Sequence, residues 1–516
     1  MAFLKSVATI SSLTIISRVF GFIRDALIAA FVGAGPIADA FFVAFKVPNF
    51  FRRLFAEGAL NAAFVPLFSR THVSEGASSA RLVAEQVFSV LMCTLLLFVI
   101  VVEVFLPYIM FMIAPGFQAT PERLLLATEF THVTFPYILF ISLAAFLSGI
   151  LNSLHRFAAS SAAPILLNLT MILGLLFCRD WGDTVGHVLV WTVFISGVLQ
   201  FIWMWLCLRR QGFIIRLRLP VLTPVVKQML RVMTPGALGA GVVQVNLFID
   251  VVIASFLPIG AVSYLFYADR LVQLPLSVIG LAISTPLLPR LAKHIEQQEH
   301  EKAQWSINRA LELTSIFALP SAIALCVMAH PFISILFERG AFASPQVWQT
   351  AKTLSAFSLG LPAFIMIKIL STPLFATFDT KTPVKASLIA MGVNIILNLI
   401  LMGPFAHVGI AFATTLASWV NAGILYAAVY RRNLFRPDAR LKQKLLKIML
   451  AAFTMGVVLF GLTQGVSTSL ISGAWSQVGV IFFICVAGFL SFVLSCYVLR
   501  AIDIQEIRDV LLKKRT

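Results

Sequence analysis

Apolar runs of about 20 residues, each closed by a short polar break, recur along almost the entire chain. A helix needs roughly 20 apolar residues to cross a bilayer, so each run predicts one membrane span. About fourteen spans are predicted on this criterion, at residues 8–32, 38–68, 84–113, 128–151, 161–178, 186–208, 230–256, 262–288, 308–330, 350–375, 386–403, 407–430, 446–463 and 476–499. The pattern therefore predicts an all-α polytopic membrane protein.

The composition agrees with this class. Of the 516 residues, 59% are hydrophobic and only 12% are charged, whereas a soluble domain carries about 25% charged residues. The longest polar stretches, near 209–228, 290–309 and 431–447, are too short for a water-soluble domain. The 6 cysteines are scattered singly and form no C-x-x-C pair, so the sequence indicates neither a disulfide framework nor a zinc site.

The formal net charge of +17 could indicate nucleic-acid binding, but the positions of the basic residues argue against that partner. With the N-terminus inside, 28 of the 39 Lys and Arg residues fall in cytoplasmic segments and 7 fall within spans. The 4 assigned to the outside are Arg123, Arg179, Arg339 and Lys352. Because membrane proteins concentrate basic residues in cytoplasmic loops, we predict an even number of spans with both termini cytoplasmic.

An internal repeat divides the spans. Residues 25–41 resemble residues 250–266 at an offset of 225, with identities that include the pairs Asp25/Asp250 and Gly35/Gly260. The offset contains an even number of predicted helices, so the two halves share one orientation, as in transporters with parallel repeats. We predict two pseudo-symmetric six-helix lobes plus two C-terminal helices: an N-lobe at 1–220, a C-lobe at 221–440, and a C-terminal helix pair with a cytoplasmic tail at 441–516.

Cations interrupt the first two predicted spans at Arg18, Arg24, Lys46, Arg52 and Arg53. A charge at the centre of a membrane helix costs about 2.5–3.5 kcal/mol on insertion scales, so these groups should face water, an acid or an anionic ligand. Asp25 and Asp39 cannot neutralise all of them. The excess of positive charge predicts a hydrated cavity that attracts an anion, and Arg forks suit phosphate or carboxylate oxygens. The alternative is structural pairing, for example of Arg24 with Asp25.

Polar residues share helix faces with these cations. Ser17 and Arg24 lie seven residues apart, nearly two helical turns, and Asn49 precedes Arg52 by three. In the second half, one predicted span carries Ser263, Asp269, Arg270 and Gln273, and Lys368 lies within another.

A further polar set lies on three second-half spans and contains Asn246, Asp250, Asn394, Asn398, Thr414 and Thr415. Oxygen ligands from membrane helices can hold sodium, so Asp250, Asn394, Asn398 and Thr414 are one possible sodium site. Hydrogen bonding between helices is the alternative interpretation. The sequence indicates no other cofactor.

Several of these residues fall in runs that resemble one family. The runs RVFGFIRD at 18–25, DAFFVAFKVPN at 39–49 and RRLFAEG at 52–58, with YADR at 267–270 and TKTP at 380–383, resemble the MurJ/MviN family. These proteins are lipid II flippases of the multidrug/oligosaccharidyl-lipid/polysaccharide exporter superfamily. The resemblance covers essentially the whole chain and implies two lobes around a central cavity.

The resemblance also implies a function. The chain is expected to flip undecaprenyl-pyrophosphate-linked peptidoglycan precursor, lipid II, from the inner to the outer leaflet of the bacterial cytoplasmic membrane, and not to be an enzyme. Expected substrate-binding residues are Ser17, Arg18, Arg24, Asn49, Arg52, Ser263 and Arg270. Expected supporting residues are Asp25, Asp39, Lys46, Arg53, Asp269 and Gln273. Gln273 departs from the family, whose members often carry an acid at this position.

Partners and rival functions complete the sequence-based expectations. Lipid II and membrane lipids are the expected ligands, with a monomeric chain that associates with cell-wall synthesis proteins. One alternative is an exporter of another anionic polyprenyl-linked oligosaccharide. A second is a polytopic enzyme acting on polyprenyl-phosphate lipids, although the short outside loops carry no paired-acid motif. A drug exporter for cations would favour an acidic cavity.

Overall fold

The computed structural model describes residues 2–53, 60–178, 180–182, 184–465 and 474–501. Every regular element in these residues is a helix, which confirms the all-α prediction for them. The predicted cytoplasmic tail and the middle of the predicted span 38–68, with most of the RRLFAEG run, lie outside the described residues.

The described part of the chain contains a series of α-helices and a short 3₁₀ helix at Pro115–Ala119. In chain order, the α-helices are α1 (Ala2–Val32), α2 (Pro36–Arg52), α3 (Asn61–Glu75), α4 (Ala77–Ile113), α5 (Pro121–Thr134), α6 (Tyr137–Ser153), α7 (Phe157–Phe177), α8 (Val185–Arg210), α9 (Pro224–Ser255), α10 (Ala261–Glu296), α11 (His300–Val327), α12 (Ala329–Phe337), α13 (Ser344–Ser358), α14 (Leu361–Ala376), α15 (Lys381–Arg431), α16 (Ala439–Gly465) and α17 (Ala474–Val498).

Each predicted span overlaps at least one of these helices. Within the described residues, nine helical stretches are long and apolar enough to cross a membrane, with α5 and α6 forming one of them and α13 and α14 another. The spans predicted at 8–32, 38–68, 230–256 and 262–288 fall on α1, α2, α3, α9 and α10, which are not among the nine. A polytopic membrane protein is therefore confirmed, and the number of crossings stays a prediction.

The break predicted between residues 403 and 407 is present as a sharp interruption within α15. This element spans Lys381–Arg431 and consists of two helices that meet at Ala406, where the backbone leaves the helical region with φ 47° and ψ −129°. Pro404 lies two residues earlier and has no N–H to donate to the preceding turn. The proline therefore accounts for a kink at the point where the apolar pattern breaks.

The chain packs as two compact units. One comprises Met1–Ser263 with Arg339–Ala343, and the other comprises Tyr264–Glu338 with Ser344–Thr516. The lobes predicted from the repeat divide the chain by sequence duplication and not by packing, so their boundaries stay a prediction.

Each unit has its own apolar core. In the first unit, aromatic rings from α3, α4 and α6 meet, and the ring centroids of Phe64 and Phe146 lie 4.4 Å apart. In the second unit, α16 and α17 pack against α11 and α12 around Met328, Ile448 and Leu459. The outer faces remain apolar, as Phe453 (67% exposed) and Phe482 (70% exposed) illustrate. Such extensive exposed apolar surface is expected of a protein surrounded by lipid.

A buried glutamate in each unit fixes a basic segment that follows a long helix. In the first unit, Glu85 on α4 accepts hydrogen bonds from the Arg218 Nε at 2.6 Å and the backbone N–H of Arg216 at 3.1 Å. In the second unit, Glu312 on α11 accepts from Arg440 at 3.2 Å and also from Arg309. The segments after α8 and α15 are therefore held on α4 and α11 in a similar way, which agrees with the internal repeat.

Candidate anion-binding site

Arg24 lies on α1 and is buried, with 6% of its surface exposed. Its Nε and Nη2 donate to Asp25 Oδ1 at 3.0 and 2.6 Å, and its Nη1 donates to Asn168 Oδ1 on α7 at 2.9 Å. The Asn168 Nδ2 donates to the Ser17 carbonyl at 3.0 Å. A guanidinium has five N–H donors, of which these bonds use three, so two donors can still bind an anion.

Arg24 pairs with Asp25, which is the structural pairing that the sequence left open as the alternative to anion binding. Both groups are buried, and an unpaired charge there would carry a large desolvation cost. The carboxylate therefore compensates the charge of the arginine without a ligand. Pairing does not exclude ligand binding, because Asp25 contacts only the Nε–Nη2 edge of the guanidinium.

Asp39 on α2 is completely buried, and donor groups of three residues surround it. Its Oδ2 accepts from the Gly260 N–H at 2.7 Å, and its Oδ1 accepts from the Ser263 N–H and hydroxyl at 2.9 and 2.6 Å. The Nη2 of Arg123 lies 3.1 Å from Oδ2. Gly260 and Ser263 flank the first residues of α10, whose N–H groups have no partner within the helix, so Asp39 acts as their cap.

Pro48 and Asn49 shape the end of α2. Because Pro48 has no N–H, the carbonyl of Ala44 loses its helical partner. Thr134 on α5 supplies the replacement, with its hydroxyl 3.1 Å from that carbonyl oxygen. One residue later, Asn49 accepts from Arg52 Nε at 3.2 Å. The sequence expectation that freed carbonyls near Pro48 need polar partners is therefore confirmed for Ala44.

The other predicted cations of the first helices are placed differently. Arg18 and Arg53 are exposed, and Lys46 is half-buried. In the second unit, the Arg270 guanidinium lies over the Phe266 ring, 4.6 Å from its centroid, and Gln273 donates to Asp269. The substrate-binding roles of these residues stay predictions.

The second-half polar set is partly brought together. Asn398 donates to Asn394 at 3.0 Å, and Asn394 donates to Thr414 across the kink of α15 at 3.3 Å. Thr415 donates to the Ala356 carbonyl at 2.8 Å. The first of these bonds lies within one helical segment of α15, whereas the other two join separate helical segments, as in the interhelical bonding named as the alternative. Asp250 belongs to the first unit, and sodium binding stays a prediction.

The helical architecture agrees with a known family. The family model described as "Lipid II flippase MurJ" matches residues 28–480. The chain belongs to the MurJ family.

Two curated MurJ relatives have high similarity over most of the chain. A probable lipid II flippase MurJ of Rhizobium tropici is 39% identical over 521 residues, which cover 100% of this chain and 98% of the relative. A probable lipid II flippase MurJ of Rhizobium meliloti (strain 1021) is 42% identical over 464 residues, or 89% of this chain and 86% of the relative.

Solved structures agree with the MurJ assignment. A lipid II flippase MurJ in an inward closed conformation has a TM-score of 0.79 at 27% identity, covering 95% of this chain and 98% of that chain. An inward-facing MATE family transporter of the MOP superfamily has a TM-score of 0.67 at 16% identity, covering 84% and 99%, and it shares the fold. The family resemblance and the exporter-type fold predicted from the sequence are therefore confirmed.

The sequence analysis did not identify two residues of this candidate site. Asn168 is a single amide in the apolar run 161–178, and that isolation was the available signal. Arg123 was counted among the charges of the outside loops, but it lies on α5, is 3% exposed, and has its guanidinium 3.8 Å from the centroid of the Phe117 ring. Its side of the membrane stays a prediction, and its burial was not foreseen because it lies just before a predicted span and its partner Asp39 is distant in sequence.

Proposed function

We propose that this chain flips lipid II from the inner to the outer leaflet of the bacterial cytoplasmic membrane by alternating access. The observation that carries the proposal is the match of residues 28–480 to the lipid II flippase family. The two Rhizobium relatives bear the same function in their names. The chain is thus a transporter of the peptidoglycan precursor and not an enzyme.

The basic residues supply the chemistry that the headgroup requires. A pyrophosphate presents several negatively charged oxygens, and charge-assisted hydrogen bonds from arginine are about twice as strong as neutral ones. The two unused donors of Arg24 fit this role. We assign the remaining pyrophosphate and headgroup contacts to Arg18, Arg52 and Arg270, with Ser17, Asn49 and Ser263 as hydrogen-bonding residues.

Asp25 has a supporting role in this mechanism. Without substrate it balances the charge of Arg24 in a buried position. When pyrophosphate binds, its oxygens meet the opposite edge of the guanidinium and the carboxylate stays in place. Asp39, Lys46, Arg53, Asp269 and Gln273 are assigned to the same supporting class.

Orientation, assembly and energy source are also part of the proposal. The ratio of 28 predicted cytoplasmic to 4 outside basic residues supports cytoplasmic termini. We expect a monomer that associates with cell-wall synthesis proteins. Sodium at Asp250, Asn394, Asn398 and Thr414 is one candidate for a coupling ion.

Export of another polyprenyl-linked oligosaccharide and enzymatic action on polyprenyl phosphates are not favoured, because the matched family consists of lipid II flippases.

Depletion of the protein from its own cells tests the proposal. Lipid II should accumulate in the inner leaflet, and expression of wild-type protein should reverse this. Arg24→Ala and Arg270→Ala should fail to reverse it, whereas Arg209→Ala, at the exposed end of α8, should succeed. An unchanged leaflet distribution after depletion would contradict the assignment.

A further inference from the structure

Lys368 is an intramembrane cation that the proposed mechanism does not use. It lies on α14 within the predicted span 350–375, seven residues after Leu361, and it is half-buried. A lysine at such a depth is costly and usually marks a ligand or ion pathway. Its position therefore calls for a specific role.

The Lys368 side chain lies close to the backbone of α10 at Gly280. A Cβ added to Gly280 would lie 3.1 Å from both the Nζ and the Cδ of Lys368, so a side chain at position 280 would crowd the ammonium group. Lys368 and Gly280 both belong to the second unit. The absence of a side chain at Gly280 thus leaves room for the ammonium group beside α10.

The same face of α10 carries further polar groups. Asp269, Gln273 and Gly280 are separated by four and seven residues, which places them within one helical stripe. Gln273 is exposed and donates to Asp269. Lys368 therefore lies at one end of a polar stripe that begins with an acid and an amide.

The distance along α10 separates Lys368 from Arg270. Gly280 follows Arg270 by ten residues, or about 15 Å at 1.5 Å per residue. A pyrophosphate group is too short to contact Arg270 and Lys368 at the same time. The substrate part near Lys368 must therefore be a different anionic group, and in a peptide-bearing lipid the other anions are carboxylates. A lysine, as a compact charge with three rotatable donors, suits a carboxylate on a flexible peptide.

We propose that Lys368 binds a carboxylate of the substrate's peptide, at a subsite separate from the one where Arg270 binds the pyrophosphate. This inference rests on the proposed function. Lys368 then contributes to selection of the complete precursor over its polyprenyl-pyrophosphate carrier, because only the precursor carries the peptide.

Binding of two probes to the purified full-length protein tests this subsite. Lys368→Gln should weaken lipid II binding about tenfold, the effect of losing one charge-assisted hydrogen bond. The same variant should bind undecaprenyl pyrophosphate as wild type does. Lys368→Arg should retain most of the lipid II affinity, and Arg270→Ala should weaken binding of both probes.

A second variant tests the packing argument. Gly280→Ala should crowd the ammonium group and weaken lipid II binding in the wild-type background, but cause no further loss in Lys368→Gln. Thermal unfolding separates a binding defect from misfolding; if Lys368→Gln does not fold, Gly280→Ala and Lys368→Arg decide the question on the same two probes.

The outcome that contradicts the peptide subsite differs from the outcome that contradicts the proposed function. Equal loss of both probes in Lys368→Gln, or no loss of either, overturns the peptide subsite alone. Wild-type protein that binds neither probe contradicts the proposed function itself.

Discussion

The carboxylate of Asp39 accepts hydrogen bonds from both the hydroxyl and the backbone N–H of Ser263, at 2.6 and 2.9 Å. The two residues are 224 positions apart in sequence. The same carboxylate pairs with the buried guanidinium of Arg123. One acid therefore neutralises a buried cation and completes the hydrogen bonds at the start of a helix.

Substitution of Asp39 should lower the free energy of unfolding more than substitution of Ser263. Ser263→Ala removes one hydroxyl donor and should lower the free energy of unfolding by about 1 kcal/mol. Asp39→Ala leaves Arg123 buried without its acid and should cost about 3–5 kcal/mol. Thermal unfolding of the purified variants measures both effects. A loss in Asp39→Ala no larger than that in Ser263→Ala would show that Arg123 does not depend on Asp39.

Asn168 should affect both stability and transport because it connects Arg24 to the Ser17 carbonyl. Asn168→Ala should cost about 1–3 kcal/mol and reduce the ability to sustain depleted cells. Thr170→Ala is the matched control, since the Thr170 hydroxyl bonds only its own helix at Leu166. A double-mutant cycle with Arg24→Ala should give a coupling of about 0.5–3 kcal/mol. If the losses in stability of the two single variants simply add in the double variant, Asn168 and Arg24 do not act together.

Gly340 should tolerate no side chain. Its φ is +56°, and a Cβ would lie 2.2 Å from the Ala30 carbonyl oxygen, which also accepts from the Ala341 N–H at 2.8 Å. Gly340→Ala should destabilise by about 1–3 kcal/mol through strain and lost contact. Gly76→Ala is the control, because Gly76 has φ +88° but open space around it. Equal losses in thermal stability would mean that only the backbone angle matters.

Asp379, in the connection between α14 and α15, should make stability depend on pH. Hydrogen bonds from Thr382, and then from Arg432, lower the pKa of Asp379 from 3.8 to about 2. A depressed pKa stabilises the fold above pH 3.8, and that contribution disappears as the pH falls through about 2.

Asp379→Asn provides the comparison for this pH effect. The difference in melting temperature between wild type and Asp379→Asn should be constant above about pH 4 and shrink below it. Glu301→Gln, at an exposed carboxylate on α11, is a control for general acid effects. A difference that does not change between pH 4 and pH 2 would contradict the role of Asp379.

The sequence predicted the features that depend on local composition. Apolar run length located the helices, because a membrane span requires a minimum number of apolar residues. The break between the predicted spans 386–403 and 407–430 predicted an interruption where the backbone of α15 leaves the helical region at Ala406. The Lys and Arg residues inside early spans indicated an anionic ligand, because burial of charge has a known cost. These arguments need no knowledge of which helices are neighbours.

The tertiary structure decided which polar groups meet. Arg24 and Asn168 are 144 positions apart, and no periodicity in either helix identifies the other as its partner. The burial of Arg123 was not predicted for the same reason, since it depends on Asp39 on another helix. Local sequence determines where a helix forms and which face is polar; the partner of a buried charge depends on helix packing, which brings distant segments into contact.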